Sequence, residues 1–214
     1  MDSIDLAALR EEYSRGGLDL PDATADPYEL FGRWLADALA AGVHEPNAVV
    51  VSTVSAEGQP SSRMVLLKRF DADGFVFYTN QSSRKGAELA ANPRCAVLVP
   101  WHPLERQVRV EGTAEQVSAA VADAYFAQRP RGAQVGAWAS PQSQVVGSRA
   151  DLAAAYAQAQ ERFEGVEVPR PPFWGGYVVR PHAVEFWQGR PGRMHDRLRY
   201  ERAGDGWTLV RLAP

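Results

Sequence analysis

The sequence predicts a mainly β protein, an antiparallel barrel with peripheral helices (α+β). Three observations support this fold class. Strand-like runs follow one another through short polar turns such as 56–59 and 71–74, few helices separate them, and the C-terminal part returns to strands. Strands joined by tight turns favour an antiparallel barrel over a doubly wound sheet. With 214 residues and 45% hydrophobic content, the chain can bury a sizeable core in one domain, although its length also accommodates two.

The first half of the chain predicts three helices and five strands. The first helix is a short one over the first ten or so residues, through 9–13, which Gly16-Gly17 and Pro21 break. Asp26-Pro27 is typical of a helix start, an N-cap followed by proline, and Gly42 ends the apolar stripe that follows. A shorter helix is predicted from about Arg84 to Ala91, before Asn92-Pro93. The predicted strands are 48–54, 61–70, 75–79, 94–101 and 106–117.

The second half predicts two further helices and four strands. Ser118 can cap a helix that runs to Arg129, and Ser148 opens another that runs to about Phe163. Between them, Arg131–Trp138 is interpreted as a polar linker. The predicted strands are 176–180, 184–188, 194–200 and 207–212.

Composition excludes several classes of protein. A net charge of −3 and a pI of about 5.8 do not fit a nucleic-acid-binding domain, whose pI is typically above about 9. The sequence has no apolar run of about 18 residues, so no membrane span is predicted. The acidic N-terminus is not typical of a signal peptide. The lone Cys95 cannot form an internal disulfide, which favours a cytoplasmic location, and its apolar neighbours predict a buried thiol.

Common catalytic motifs are missing from the sequence. It contains no GxGxxG after a strand, no GxxxxGK[ST], no HExxH, no paired CxxC and no GxSxG, and its four histidines are widely spaced. We therefore expect no metal site. The protein is expected either to perform chemistry through a bound cofactor or simply to bind a ligand.

Lysine occurs only at Lys68 and Lys85, whereas arginine occurs 21 times. Lysine offers phosphate a compact point charge, so a phosphate-bearing ligand is the first hypothesis. The alternative is that both are ordinary surface lysines.

Each lysine has a cationic neighbour whose placement is informative. Arg63 and Lys68 lie five apart on a predicted strand, so their side chains are expected on opposite faces, about 16 Å apart at ~3.3 Å per residue. Two separate anion sites follow, unless a bulge intervenes. Arg84 and Lys85 lie at a predicted helix start, where the helix dipole disfavours cations, and this conflict indicates a bound anion.

Two further groups of side chains are candidate ligand contacts. Tyr125 and Arg129 lie four apart on a predicted helix and share a face. Arg193, His195 and Arg197 alternate onto one face of a predicted strand, where they could orient an anionic ring. The alternative for this stripe is a row of solvated cations.

Segments spread in order along almost the whole chain resemble those of a known enzyme family. They include 10–13, 63–68, 77–80, 83–85, 100–102, 104–107, 129–131, 136–138, 173–176, 185–189, 195–197 and 211–214. Together these segments resemble the FMN-dependent pyridoxamine 5′-phosphate oxidase family, and the ordered set is far more specific than any single motif. The resemblance implies a split β-barrel homodimer with FMN at the subunit interface. It also implies a single domain, 1–214, with a mobile N-terminal segment of about residues 1–25.

The resemblance also implies roles for individual residues. Catalytic roles near the substrate ring would belong to Arg193 and His195. The cofactor contacts would be Arg63, Met64, Val65, Leu66, Leu67, Lys68, Tyr78, Thr79, Arg84, Lys85, Gln107, Gln142, Ser143, Trp187 and Arg197. The substrate contacts would be Arg10, Tyr13, Lys68, Tyr125, Arg129, Ala133, Arg193, Met194 and His195.

The implied reaction is the oxidation of pyridoxamine or pyridoxine 5′-phosphate to pyridoxal 5′-phosphate by O2, with release of H2O2. One departure from the family pattern is Ala133, where many members carry serine; one lost hydrogen bond costs about 0.5–1.5 kcal/mol. Two alternatives stay open: a split-barrel flavin or deazaflavin oxidoreductase acting on another ring, and a noncatalytic flavin- or pyridoxal-phosphate-binding protein.

Overall fold

The computed structural model describes residues 5, 6, 9 and 12–214. Among these residues, no helix combines the length and the apolar character that crossing a membrane requires. The predicted N-terminal helix and the expected mobile segment, about 1–25, lie partly outside the described residues.

The described part of the chain forms five α-helices and eight strands. The helices are α1 (Pro27–Ala40), α2 (Arg84–Ala91), α3 (Ala119–Ala127), α4 (Arg131–Ala139) and α5 (Arg149–Arg162). The strands are β1 (Ala48–Val54), β2 (Pro60–Asp71), β3 (Gly74–Asn80), β4 (Arg94–Trp101), β5 (Arg106–Gln116), β6 (Trp174–Gln188), β7 (Asp196–Ala203) and β8 (Gly206–Leu212). Short 3-10 turns occupy Leu20–Asp22, His102–Leu104 and Pro191–Arg193.

The strands pair in the order β3-β2-β1-β4-β5-β6-β7-β8, and β3 also pairs with β6. This last pairing closes the first six strands of the order into a ring, which is a barrel without open edges. The β2–β3, β3–β6, β6–β7 and β7–β8 pairs are all antiparallel. The predicted fold class, an antiparallel split β-barrel with peripheral helices, is confirmed.

The chain divides into two compact units. The terminal unit comprises residues 1–48, 98–110 and 182–214, and the central unit comprises 49–97 and 111–181. Strands β4, β5 and β6 contribute residues to both units. The single domain 1–214 inferred from the family resemblance stays a prediction.

Aromatic side chains form the core of the terminal unit. The apolar stripe of α1 brings Trp34 into an edge-to-face contact with Phe186, with ring centroids 5.2 Å apart, and places Phe31 at 5.5 Å from Trp101. Pairs in this geometry add about 0.5–1.5 kcal/mol beyond their buried area.

Asp26 caps α1 by accepting a hydrogen bond from the backbone N–H of Tyr28, as the sequence predicts.

The central unit has a second apolar cluster beneath its helices. It consists of Phe126, Val135, Ala159, Phe163, Val168 and Trp174. Cys95, elsewhere in this unit, is buried as predicted, and burial raises the pKa of its thiol to about 12.

The predicted polar linker at Arg131–Trp138 is wrong, because this segment is α4. Two glycines lower its intrinsic helix propensity, yet they allow close packing against α5: a Cβ at Gly132 would lie 3.2 Å from the Tyr156 hydroxyl. Val135 is buried on the same helix, and Arg131 donates hydrogen bonds to the carbonyls of Phe163 and Val166. Tertiary packing therefore stabilises a helix that local propensity does not reveal.

The two predicted strands 176–180 and 184–188 are one continuous strand, β6. The prediction left residues 181–183 out of both strands, and this gap contains Pro181, which cannot donate to a ladder. The structure keeps this region extended, with Gly112 of β5 opposite it: a Cβ at Gly112 would overlap the Arg180 carbonyl and lie 3.0 Å from Pro181 Cα. The missing side chain at Gly112 thus permits the close approach.

Gly112→Ala is expected to destabilise the protein by about 1–3 kcal/mol, the usual range for overpacking. The physical reason is that the added methyl would overlap a backbone carbonyl, which cannot rotate away. Gly206→Ala is the matched control on another strand, because its Cβ would meet nothing closer than 3.9 Å. Urea denaturation should show a lower midpoint for Gly112→Ala alone; equal midpoints for the two variants would contradict this description of β6.

Candidate functional site

The central unit contains a cavity of about 1110 Å³, which we call the main cavity. This volume exceeds the ~300–1,000 Å³ typical of a site for one drug-sized ligand. Residues of β2, β3, α3, α4 and the start of α2 line it, together with the loop after α4. The predicted contacts that line it are Arg63, Met64, Val65, Leu66, Lys68, Tyr78, Thr79, Arg84, Lys85, Tyr125, Arg129, Ala133, Gln142 and Ser143.

Arg63 and Lys68 both line the main cavity, as do all residues from Ser61 to Leu66, so their opposite placement stays a prediction. The register of β2 with β3 shifts between Leu67 and Arg69, which indicates a β-bulge at Lys68, the irregularity that would undo the expected alternation. A bulge adds one residue to one strand and resets the alternation of side chains. Separate anions for Arg63 and Lys68 remain a prediction.

Lys85 is a buried cation surrounded by neutral oxygens. Its Nζ donates to Thr79 Oγ1 at 3.0 Å, Gln142 Oε1 at 3.0 Å and Ser83 Oγ at 3.2 Å. No carboxylate among the described residues pairs with it. Burial, with a smaller contribution from the charge of Arg63, lowers the pKa of Lys85 from its ordinary value of 10.5 to about 8. An anion bound here would therefore stabilise a charge that the protein leaves unpaired.

The cations at the start of α2, which the helix dipole disfavours, are partly compensated within the protein. Arg84 Nε donates to Glu88 Oε1 at 2.8 Å, one helical turn further on. Nη1 and Nη2 of Arg84 have no hydrogen-bond partner among the described residues. Glu88 is a site residue that was not predicted, although its i,i+4 spacing from Arg84 was a usable signal in the sequence.

Glu88 is buried and accepts hydrogen bonds at both carboxylate oxygens. Its Oε2 accepts from Ser61 Oγ at 2.6 Å, from Arg63 Nη2 at 3.2 Å and from Thr53 Oγ1. Burial alone would raise the pKa of Glu88, but the hydrogen bonds from Ser61, Thr53, Arg84 and Arg63 outweigh it and lower the pKa to about 2. Glu88 is therefore ionised throughout the neutral range.

A stack of aromatic rings lies beside Arg129. Tyr78 and Tyr125 stack with ring centroids 3.9 Å apart, and Trp174 lies 5.5 Å from Tyr78 in a nearly parallel plane. The Arg129 guanidinium lies 4.7 Å from the Trp174 ring centroid, a cation–π contact. Its Nη1 is buried without a hydrogen-bond partner in the described structure, and burial lowers the pKa of Arg129. The predicted shared face of Tyr125 and Arg129 is consistent with their both lining the main cavity.

Gln142 and Ser143 follow α4 in a tight turn. Gln142 Oε1 accepts hydrogen bonds from Lys85 Nζ and from Thr79 Oγ1, the latter at 3.1 Å. Ser143 has φ +71°, a left-handed conformation that is uncommon for a non-glycine residue. Such backbone strain is frequent where a loop is shaped around a ligand.

Other predicted contacts lie in the terminal unit. The His195 ring lies 4.6 Å from Trp187 and 5.7 Å from Tyr13. His195 Nδ1 accepts a hydrogen bond from the backbone N–H of Arg190, so its Nε2 carries the proton in the neutral ring. Burial, and then the charge of Arg193, lower the pKa of His195. A second cavity of about 420 Å³ is lined by Leu9, Glu12, Tyr13, Arg190, Gly192, Arg193 and His195.

The predicted alternation of Arg193, His195 and Arg197 along one strand is wrong. Strand β7 begins only at Asp196, and Arg193 belongs to the 3-10 turn Pro191–Arg193, with φ +61°. The Pro191-Gly192 pair favours this turn and delays the strand. Arg193 and His195 are nevertheless brought to the same cavity, by the turn rather than by the strand.

The remaining predicted contacts have varied surroundings. Arg197 forms a bidentate ion pair with buried Glu185, at 2.9 and 3.1 Å, and Met194 is exposed. Leu67 is buried and is not among the residues lining the main cavity. Gln107 lies in β5, in the terminal unit. Arg10 lies outside the described residues.

Comparisons with known proteins bear directly on this site. A family profile described as pyridoxamine 5′-phosphate oxidase matches residues 35–163, and a second, described as the pyridoxine 5′-phosphate oxidase C-terminal dimerisation region, matches residues 174–214. The chain belongs to this family. The result confirms the family resemblance and the prediction that the chain is an enzyme of this family.

Individual relatives agree with the family assignment. A pyridoxine/pyridoxamine 5′-phosphate oxidase of a Nocardioides species is 60% identical over 100% of both chains. That of Rubrobacter xylanophilus is 59% identical over 98% of this chain and 97% of its own. Among solved structures, PhzG from Burkholderia lata, in complex with tetrahydrophenazine-1-carboxylic acid, is 34% identical and covers 93% of this chain and 100% of its own, with a TM-score of 0.86.

With only two lysines in the chain, the pKa of Lys85 can be measured directly. In the unliganded protein labelled with 13C-lysine, we expect one Cε resonance to titrate with a midpoint near pH 8. Because this pKa lies below the unfolded value, the lysine charge opposes folding below about pH 8, and this penalty disappears as the pH rises towards 10.5. The resonance should vanish in Lys85→Met and persist in Lys68→Met. A spectrum in which every lysine titrates near 10.5 would contradict this description of the site.

Proposed function

We propose that the chain is an FMN-dependent oxidase that converts pyridoxamine 5′-phosphate and pyridoxine 5′-phosphate to pyridoxal 5′-phosphate. O2 would be the oxidant and H2O2 a product. The observation that carries the proposal is that two cations line one cavity, the buried Lys85 and the half-buried Arg129, whose Nη1 is buried, and that neither is paired with a protein anion among the described residues. Two phosphorylated ligands would supply the missing charges. A cytoplasmic location, favoured by the single cysteine, is part of the proposal.

The flavin phosphate fits the group around Lys85. Arg63, Arg84 and Lys85 provide three cations at one part of the cavity lining, and the free Nη groups of Arg84 suit bidentate binding of phosphate. Gln142 and Ser143, whose backbone is strained, would also contact the phosphate end of the flavin. The isoalloxazine and ribityl groups would contact Met64, Val65, Leu66, Leu67, Lys68, Tyr78 and Thr79. Gln107, Trp187 and Arg197 remain predicted flavin contacts.

The substrate phosphate fits the group around Arg129. Its unpaired, buried Nη1 is a hydrogen-bond donor that a phosphate oxygen would satisfy. Lys68 and Tyr125 line the same cavity and would add a point charge and a hydroxyl donor. Ala133 also lines the cavity, but as a methyl group it adds no hydrogen bond. Arg10, Tyr13, Arg193, Met194 and His195 remain predicted substrate contacts.

The bound flavin would supply the redox chemistry, by accepting a hydride equivalent from C4′ of the substrate and delivering the electrons to O2. The alcohol and O2 then give the aldehyde and H2O2; the amine, O2 and water give the aldehyde, ammonia and H2O2. The protein contributes position and charge. Two phosphate anchors would hold the rings in a fixed geometry in place of random collision, and Arg193 with the Nε2–H of His195 would orient the pyridine ring.

A homodimer is the proposed assembly, with FMN at the subunit interface. The match of residues 174–214 to a dimerisation region supports this arrangement. Strands β6, β7 and β8 form that region.

The second candidate is a flavin oxidoreductase that acts on another ring. It is favoured by the likeness to PhzG, whose structure holds a tetrahydrophenazine carboxylic acid. A carboxylate could also pair with Arg129. The two candidates differ in whether the substrate must carry a phosphate.

The test is peroxide production by the FMN-loaded protein. Pyridoxamine 5′-phosphate should be oxidised, whereas pyridoxamine, which lacks the phosphate, should react poorly. Lys68→Met should raise KM for the phosphorylated substrate while the protein stays yellow, because Lys68 is proposed to bind the substrate phosphate. The control is Lys85→Met, which should instead lose flavin during purification.

Equal activity with and without the substrate phosphate would favour the second candidate. Absence of peroxide with a bound flavin would favour the noncatalytic alternative. A colourless Lys68→Met protein would contradict the division of the two phosphates between separate anchors.

A further inference from the structure

We infer that Glu88 is the positioning residue of the flavin-phosphate site. It binds Arg63 and Arg84 without lining the cavity itself, so that both arginines present one fixed arrangement of donors to the phosphate. This inference rests on the proposed function. Glu88 itself is buried, and it is not among the residues that line the main cavity.

Glu88 holds each arginine by a different oxygen. Arg84 Nε bonds to Oε1 at 2.8 Å, and Arg63 Nη2 bonds to Oε2 at 3.2 Å. Since the guanidinium group is planar, fixing one nitrogen of Arg84 limits where its two Nη groups point. The Arg84 side chain is 58% exposed, so without Glu88 it would sample many rotamers.

Two hydroxyl groups connect Arg63 to Glu88 by further hydrogen bonds. Thr53 Oγ1 accepts a hydrogen bond from Arg63 Nη1 and donates one to Glu88 Oε2, and Ser61 Oγ connects Arg63 Nη2 to the same oxygen. Each hydroxyl has a single proton, which the carboxylate engages, so its lone pairs stay directed at the arginine. Removing the carboxylate would free both hydroxyls to rotate and would loosen Arg63.

The charges also fit a phosphate monoester. Arg63, Arg84 and Lys85 carry three positive charges when protonated, and Glu88 carries one negative charge. The remaining two positive charges match a phosphate, which carries about −1.5 to −2 at pH 7. A purely structural carboxylate would not need to contact two separate cavity-lining arginines.

The test is a fluorescence titration of the full-length, flavin-free protein with FMN and with riboflavin, which lacks the phosphate. Glu88→Asp is the informative variant, because it keeps the charge but is one methylene shorter and cannot reach all its donors. Its FMN dissociation constant should rise about tenfold or more, as for the loss of outer-shell partners at metal sites, while riboflavin binding stays unchanged. Glu115→Asp is the control, since Glu115 pairs at the surface with Arg180 and both flavins should bind it normally.

Three outcomes would overturn the inference. Wild-type FMN affinity in Glu88→Asp would show that Glu88 does not position the arginines, and equal weakening of FMN and riboflavin would assign it a general structural role. Both leave the proposed function intact. If the unaltered protein binds FMN no better than riboflavin, the proposed phosphate site fails and this inference fails with it.

Discussion

The site depends on cationic side chains that the fold buries wholly or partly without matching anions. Lys85 is held by three neutral oxygens, and Arg129 has an unpaired nitrogen beside an aromatic stack. Burying a charge without a counter-charge is unfavourable, so this arrangement lowers the stability of the unliganded protein. Anionic ligands would recover that free energy on binding, and under the proposed function this would favour phosphate over an apolar molecule of the same size.

Several local irregularities occur at predicted ligand contacts. The bulge at Lys68 resets the alternation of β2, and the left-handed backbone at Ser143 turns the loop after α4 towards the cavity. In the terminal unit, the left-handed Arg193 ends the turn that precedes His195. Each feature is locally unfavourable, and each lies at a residue that the family resemblance assigns to a ligand. Strain concentrated at such positions is expected where geometry serves binding rather than stability.

Much of the fold could be predicted from the sequence, because the caps and turns are local signals. Asp26-Pro27 and the 71–74 turn identified α1 and the β2–β3 hairpin. Helix α4 and the continuity of β6 were missed, since both depend on glycines whose packing partners, Tyr156 and the Arg180 carbonyl, are distant in sequence. In the site, the lysine distribution favoured a phosphate-bearing ligand, and 14 of the contacts that the family resemblance implied line one cavity. Only the i,i+4 spacing from Arg84 indicated Glu88 in the sequence, since its other partners, Thr53, Ser61 and Arg63, lie 35, 27 and 25 residues away and meet it only in the fold.

The most direct measurement is a crystal structure with FMN and pyridoxal 5′-phosphate bound together. The account predicts that the flavin phosphate contacts Lys85 and Arg84, and that the second phosphate contacts Arg129 and Lys68. It would be contradicted if both phosphates contacted one group of cations, or if Lys85 contacted no phosphate at all.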